Sequence, residues 1–132
     1  MPPRHILTIL AVADLERSLE FYTSAFGWPV RVTVPVYVEF ELPDGNGLGL
    51  YRREAFAANT GQEPHAVPAA ATTGTEIYLR CDDLDASAQR VEAAGARILS
   101  PAAPRDWGDV AAYFADPDGN VLVLAVPSGG AE

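Results

Sequence analysis

Leu10-Ala11-Val12-Ala13-Asp14-Leu15-Glu16-Arg17-Ser18 is answered further along the chain by Leu79-Arg80-Cys81-Asp82-Asp83-Leu84-Asp85-Ala86-Ser87, at an offset of 69 residues. A second pair follows in the same order. Pro43-Asp44-Gly45-Asn46-Gly47-Leu48-Gly49-Leu50 matches Pro117-Asp118-Gly119-Asn120-Val121-Leu122-Val123-Leu124 at an offset of 74. Two ordered matches at similar offsets indicate two copies of one module.

Each copy reads alike. A short apolar run, Ile6 to Val12 or Ile77 to Cys81, leads into an Asp-Leu step with acidic and Ser residues, which marks a helix start. Leu15, Leu19, Tyr22 and Phe26 recur at helical spacing, so a helix is expected over 15–26 with Gly27 as its stop. Leu84, Ala88 and Val91 do the same over 84–94, with Gly95 as the stop. Three strands are expected after each helix: 29–34, 36–42 and 47–53, then 97–99, 109–115 and 120–126. Pro-Asp-Gly makes the last hairpin turn in both copies. The order is β-α-β-β-β twice, an α+β fold. The modules span 4–54 and 75–126, and the Ala-, Thr- and Pro-rich segment 55–74 is read as a linker.

Turn geometry sets the strand faces. A three-residue loop pairs Asp116 with Asn120, so Tyr113 opposes Val123; in the first copy Tyr37 opposes Tyr51, Glu39 opposes Gly49 and Glu41 opposes Gly47. One face then carries Ile6, Leu10, Val12, Val38, Phe40, Leu122 and Leu124 and suits packing under the helices. The other carries tyrosines, acids and two glycines. Gly47 and Gly49 put no side chain into the space they face, so a wide, concave ligand trough is expected there.

Composition narrows the function classes. The 132 residues bear 9 basic and 18 acidic side chains, a net charge of −9, which disfavours nucleic acid and anionic membranes as partners. Hydrophobic residues make up 48%, enough to bury a core. The single cysteine, Cys81, excludes an intrachain disulfide and is expected to pack inertly beneath a helix. The sequence shows no basic segment followed by a long apolar run, so neither a signal peptide nor a membrane span is expected. A reducing cytoplasm is the expected compartment.

Val12-Ala13-Asp14-Leu15-Glu16-Arg17-Ser18-Leu19-Glu20-Phe21-Tyr22, Phe114-Ala115-Asp116-Pro117-Asp118-Gly119-Asn120 and the intervening Trp107-Gly108 resemble the vicinal oxygen chelate superfamily. That superfamily holds glyoxalase I, extradiol dioxygenases, methylmalonyl-CoA epimerase and the fosfomycin and bleomycin resistance proteins. The resemblance covers residues 4–126. It implies paired modules forming a cupped mixed sheet with helices on the outer face, and a homodimer. Metal-dependent members hold their ion from the first and last strands of each module. Those positions fall here on Leu7, Gly49, Glu76 and Val123, and three of the four have no donor atom.

The resemblance therefore points to a metal-independent member that takes no cofactor. Such a protein would bind or sequester a small cationic or aromatic compound, as bleomycin resistance proteins do. Its ligand wall would comprise Tyr37, Glu39, Glu41, Tyr51, Glu76, Tyr78, Trp107 and Tyr113, although Trp107 is equally readable as a core plug. Glu39, Glu41 and Glu76 would repel one another and raise at least one of their pKa values unless a cation or Arg80 balanced them. The alternative is a glyoxalase-like lyase, isomerase or dioxygenase using a displaced metal set of His5, Glu39 and Glu76, with Glu76 as general base.

Overall fold

The computed structural model describes residues 1–129. The elements run β1 (Leu7–Val12), α1 (Leu15–Phe26), β2 (Val30–Val34), β3 (Tyr37–Glu41), β4 (Gly47–Arg52), α2 (Arg53–Thr60), β5 (Glu76–Arg80), α3 (Leu84–Ala93), β6 (Arg97–Pro104), β7 (Asp109–Ala115) and β8 (Val121–Pro127). They form two four-stranded mixed sheets, ordered β1-β4-β3-β2 and β5-β8-β7-β6. The chain divides into two compact units. One comprises residues 1–23 and 27–66, the other 24–26 and 67 onward.

The repeat holds at atomic detail. Asp14 caps α1 by accepting from the Arg17 amide at 3.1 Å, and Asp83 caps α3 by accepting from the Ala86 amide at 3.1 Å. Each carboxylate satisfies a backbone donor that a helix start leaves open. Gly27 ends α1 with a φ of 69°, which a residue bearing a Cβ adopts only under strain. The hairpin registers match the turn chemistry. The Leu42 amide donates to the Asn46 carbonyl at 2.8 Å and the Asp116 amide to the Asn120 carbonyl at 2.9 Å. Tyr37 pairs with Tyr51, Glu39 with Gly49, and Tyr113 with Val123. The parallel pairs also correspond, Leu7 opposite Gly47 in one unit and Glu76 opposite Val121 in the other.

Burial follows the alternation on the helix-side faces. In the first unit Val12, Phe21, Tyr22, Val38, Phe40, Leu48 and Leu50 are buried, and Trp28 stacks on Tyr22 at 6.5 Å and meets Phe40 edge-on at 6.4 Å. In the second, Val91, Ala112, Phe114, Leu122 and Leu124 fill the equivalent layer. Ile6, assigned to that face by alternation, lies before the first strand pair and is 57% exposed. Cys81 is half-buried and directs its thiol to the Ala125 carbonyl.

Three features depart from expectation. The segment read as a linker begins with α2, whose last turn closes on Gly61 at φ 72°. Its Ala-rich composition served a helix, not a loop. Strand β6 runs on to Pro104, well past residue 99. The second and third strands of both units also carry a β-bulge at the same rung. Register slips between Val30 and Val32 opposite Phe40 and Glu39, and between Ile98 and Ser100 opposite Phe114 and Tyr113.

The Pro117-Asp118-Gly119 turn pins the remainder of that connecting segment. Buried Asp116 accepts from the Asp118 and Asn120 amides and from the Asn120 side chain, while Thr73 donates to Asn120 Oδ1 at 2.8 Å. Gly119 fits beneath it, because a Cβ there would stand 2.9 Å from Val67 and 3.0 Å from the Ala71 carbonyl.

Candidate functional site

In the first unit the sheet face opposite α1 is occupied by the chain's own side chains. Tyr37 donates its hydroxyl to Glu39 Oε1 at 2.5 Å, and Arg31 Nε donates to Glu39 Oε2 at 2.6 Å. Arg31 also donates to the Gly45 carbonyl at 2.9 Å. The bulge explains the arginine. Two residues, Arg31 and Val32, share the rung opposite Glu39, so Arg31 reaches a carboxylate that simple alternation would have denied it.

The glycines serve this packing. A Cβ on Gly49 would stand 2.6 Å from Tyr37 Cε1, and one on Gly47 would meet Leu7 Cδ1 at 2.8 Å as well as Arg31. Gly47 and Gly49 are both buried, so the wide trough expected over them is filled by Tyr37, Arg31 and Leu7. Tyr51 packs edge-on to Tyr37 at 5.2 Å and accepts from Asn59 of α2 at 2.9 Å. Glu41 is exposed.

Electrostatics here run opposite to the mutual repulsion expected among Glu39, Glu41 and Glu76. The Tyr37 hydroxyl and the Arg31 guanidinium hold the Glu39 carboxyl below its usual 4.5, against the opposing effect of burial. Burial and the bond to Glu39 push the Tyr37 phenol well above its usual range.

The second unit builds a different cluster on the corresponding face. Ala111, Val123 and Ala125 are fully buried there, with Tyr113 and Val121 packed against them. The Arg105 guanidinium lies 4.9 Å over the Tyr113 ring and donates to the Ala111 carbonyl at 2.9 Å and to Ser100 at 3.0 Å. Tyr78 donates its hydroxyl to Asp109 Oδ2 and accepts from Trp107 Nε1 at 2.8 Å. Arg80 grips both oxygens of Asp109, at 3.2 and 3.3 Å. Asp109 is buried, whereas Tyr78 is 40% and Trp107 54% exposed. Trp107 is therefore no core plug. The Tyr78 hydroxyl and then Arg80 lower the Asp109 pKa, and the same bond raises that of Tyr78. Glu76 is exposed on β5.

The family's ion positions do not fit a divalent metal. Leu7 and Val123 offer only carbon, Val123 within a buried apolar cluster, and the space over Gly49 belongs to the Tyr37 ring. The displaced set fares no better. His5 shares a 3.0 Å hydrogen bond with Thr8, Glu39 is held by Tyr37 and Arg31, and among the described residues no three His, Cys, Asp or Glu side chains group as a metal set.

Sequence reading missed Asp109, Arg31 and Arg105, and knew Arg80 only as a balancing charge. Asp109 follows directly on the quoted Trp107-Gly108, which was the available signal. Elsewhere in the first unit, Ala13, Asp14, Leu15, Glu16, Pro35 and Arg52 line a polar concavity of about 510 Å³. None of the expected ligand residues lies in it. Among the described residues no helix is long and apolar enough to cross a membrane.

Comparison with known proteins agrees with this architecture. YraH of Bacillus subtilis, described as uncharacterized, is 27% identical over 87% of this chain and 91% of its own length. The anthracycline biosynthesis protein DnrV of Streptomyces peucetius is 32% identical over 87% of this chain, which spans 44% of that longer protein. A crystal structure of a glyoxalase/bleomycin resistance protein/dioxygenase from Nocardioides, 26% identical, superposes with a TM-score of 0.81 over 98% of this chain and 87% of that one. The family model for this group matches residues 4–124. The chain belongs to the glyoxalase/bleomycin resistance protein/dioxygenase superfamily, the vicinal oxygen chelate proteins.

Proposed function

We propose that the chain is a metal-independent binding protein that takes up or sequesters a small aromatic compound. The observation that carries this reading is the state of the ion positions: Leu7, Gly49 and Val123 supply no donor, and packing covers them. A catalytic ion has no ligand set there, while two exposed rings, Tyr78 and Trp107, stand on a fixed hydrogen-bonded base. Rigid aromatic surface binds planar compounds at little conformational cost. The name of DnrV, an anthracycline biosynthesis protein, supports an aromatic ligand, and sequestration would give such a protein a protective, resistance-like role.

We further propose a cytoplasmic homodimer. Edge strand β2 exposes Val30 at 43%, Val32 at 38% and Val34 at 46%, an apolar surface suited to a second copy. Sedimentation equilibrium tests this, with a monomer at all concentrations as the adverse result.

Tryptophan fluorescence titration with planar aromatic compounds, in the presence and absence of EDTA, tests the binding reading. Saturable quenching with the same affinity in both conditions is expected. Stoichiometric zinc or nickel in the purified protein, with binding or turnover that disappears on chelation, would overturn it and restore the lyase, isomerase or dioxygenase alternative.

A further inference from the structure

We infer that Trp107, Tyr78 and Arg80 form a subsite in the second unit for a planar aromatic ring bearing an oxygen acceptor, such as a ketone or phenol, and that a cation is disfavoured there. This deepens the reading of the chain as a binding protein and rests on it.

The Tyr78 hydroxyl has one proton, which goes to Asp109, and it accepts the indole N–H of Trp107 at 2.8 Å. Both exposed rings are thereby fixed in orientation by the buried Asp109, as a ligand platform requires and an ordinary solvated surface does not. Arg80 commits one N–H from each terminal nitrogen to Asp109. A guanidinium carries five N–H groups, and its side chain is 52% exposed, so donors remain for an incoming acceptor. Tyr78 and Arg80 project from the same face of β5, two residues apart, so acceptor and ring contacts lie on one side of the strand.

Charge then selects the ligand class. Asp109 is only 9% exposed, is paired with Arg80 and accepts the Tyr78 hydroxyl, so its carboxylate offers little to a cation. An ammonium drawn to the Trp107 ring would instead meet the exposed Arg80 guanidinium, which has donors and no acceptor for it. An oxygen acceptor gains a charge-assisted hydrogen bond, roughly twice as strong as a neutral one. The net charge of −9 works against an anionic ligand, so a ketone or phenol suits the site better than a carboxylate. The first unit points the same way, because Arg31 already compensates the acid expected to attract a cation, Glu39.

Three probes of one shape decide it: methyl naphthyl ketone, ethylnaphthalene and naphthylmethylammonium. Each is titrated against the full chain carrying Trp28→Phe, which leaves Trp107 as the reporter. The ketone should bind about tenfold tighter than the hydrocarbon, and the ammonium should bind weakest. Arg80→Met should erase the ketone's advantage over the hydrocarbon. Arg80→Lys, which keeps the charge but loses the fork, should retain part of it. Tightest binding by the ammonium would overturn the acceptor subsite while leaving the chain an aromatic binder. An undiminished ketone preference in Arg80→Met, with folding verified by circular dichroism, would also overturn it. Failure of all three probes to quench Trp107 would overturn the subsite, and failure of the EDTA-independent titration across a wider panel would overturn the binding reading.

Discussion

Tyr37 stands in the space that any side chain at position 49 would need, with its Cε1 2.6 Å from where a Gly49 Cβ would lie. The position to which the family resemblance assigns an ion ligand is here the floor beneath a tyrosine ring. The hydroxyl of that ring is spent on Glu39.

Gly49→Ala should therefore swing Tyr37 off the sheet and break its bond to Glu39. The loss is that of a hydrogen bond to a charged group plus local overpacking, about 1–3 kcal/mol. Urea unfolding of Gly49→Ala, Tyr37→Phe and the double variant measures it. The two effects should be strongly non-additive, since both act through one contact. Additive losses would mean that the ring does not sit over Gly49.

Acid should weaken the fold through Glu39 and Asp109. Both carboxyls have lower pKa values folded than their usual 4.5 and 3.8, so the stability they confer is present at neutral pH. It drains away as the pH falls below those values towards the depressed ones. The acid limb of a stability–pH curve should accordingly flatten in Tyr37→Phe, which removes the largest cause of the Glu39 shift. An acid limb of equal slope in the variant and the parent would count against the assignment.

Alkali should act through the two hydroxyls. Tyr37 and Tyr78 are both raised above their usual 10.0, so the unfolded chain loses these protons first. Their stabilising effect is complete below pH 10 and disappears as the pH climbs through the raised values. Tyrosinate absorbance should show a late-titrating component that shrinks in Tyr78→Phe and in Tyr37→Phe; an unchanged late component in both variants would count against the assignment.

Asn120→Ala removes a buried amide that donates to Asp116 and accepts from Thr73. The expected cost is about 1–3 kcal/mol, because the carboxylate loses a donor out of reach of water. Amide exchange should accelerate at Thr73 and Thr75 well before the β7–β8 ladder opens. Uniform acceleration across the second unit would show that the turn does not hold this segment locally.

Much of the fold was legible because local chemistry and repeat agreed. Asp14 and Asp83 announced the helix starts, the two Pro-Asp-Gly turns fixed the hairpin registers, and alternation placed Val38, Phe40, Leu122 and Leu124 in the cores. The site was legible only as a list of residue types. Strand parity put Glu39 and Tyr78 on the right faces, but it could not foresee that one inserted residue would bring Arg31 to Glu39. Nor could it show that Arg80 and Asp109, 29 positions apart, would close on each other. Glu39 looked like part of an unbalanced wall because its cation, Arg31, comes from the neighbouring strand, and pairing across strands is invisible to a face-by-face reading. The glycines misled for the same reason, since an absent side chain signals room without saying who takes it. Arg53–Thr60 was misread because alanine and threonine serve loops and helices alike, and only Gly61 marked where the helix would stop.

The twin bulges have a historical meaning. An extra residue at the same rung of both halves, opposite Phe40–Glu39 and Phe114–Tyr113, is most simply inherited from a single ancestral half that already possessed it before the gene segment was copied. Descent then treated the two copies differently. One has an arginine in the inserted place and holds an acid with it, while the other has Leu99 there and lays Arg105, from beyond the strand's end, over the tyrosine.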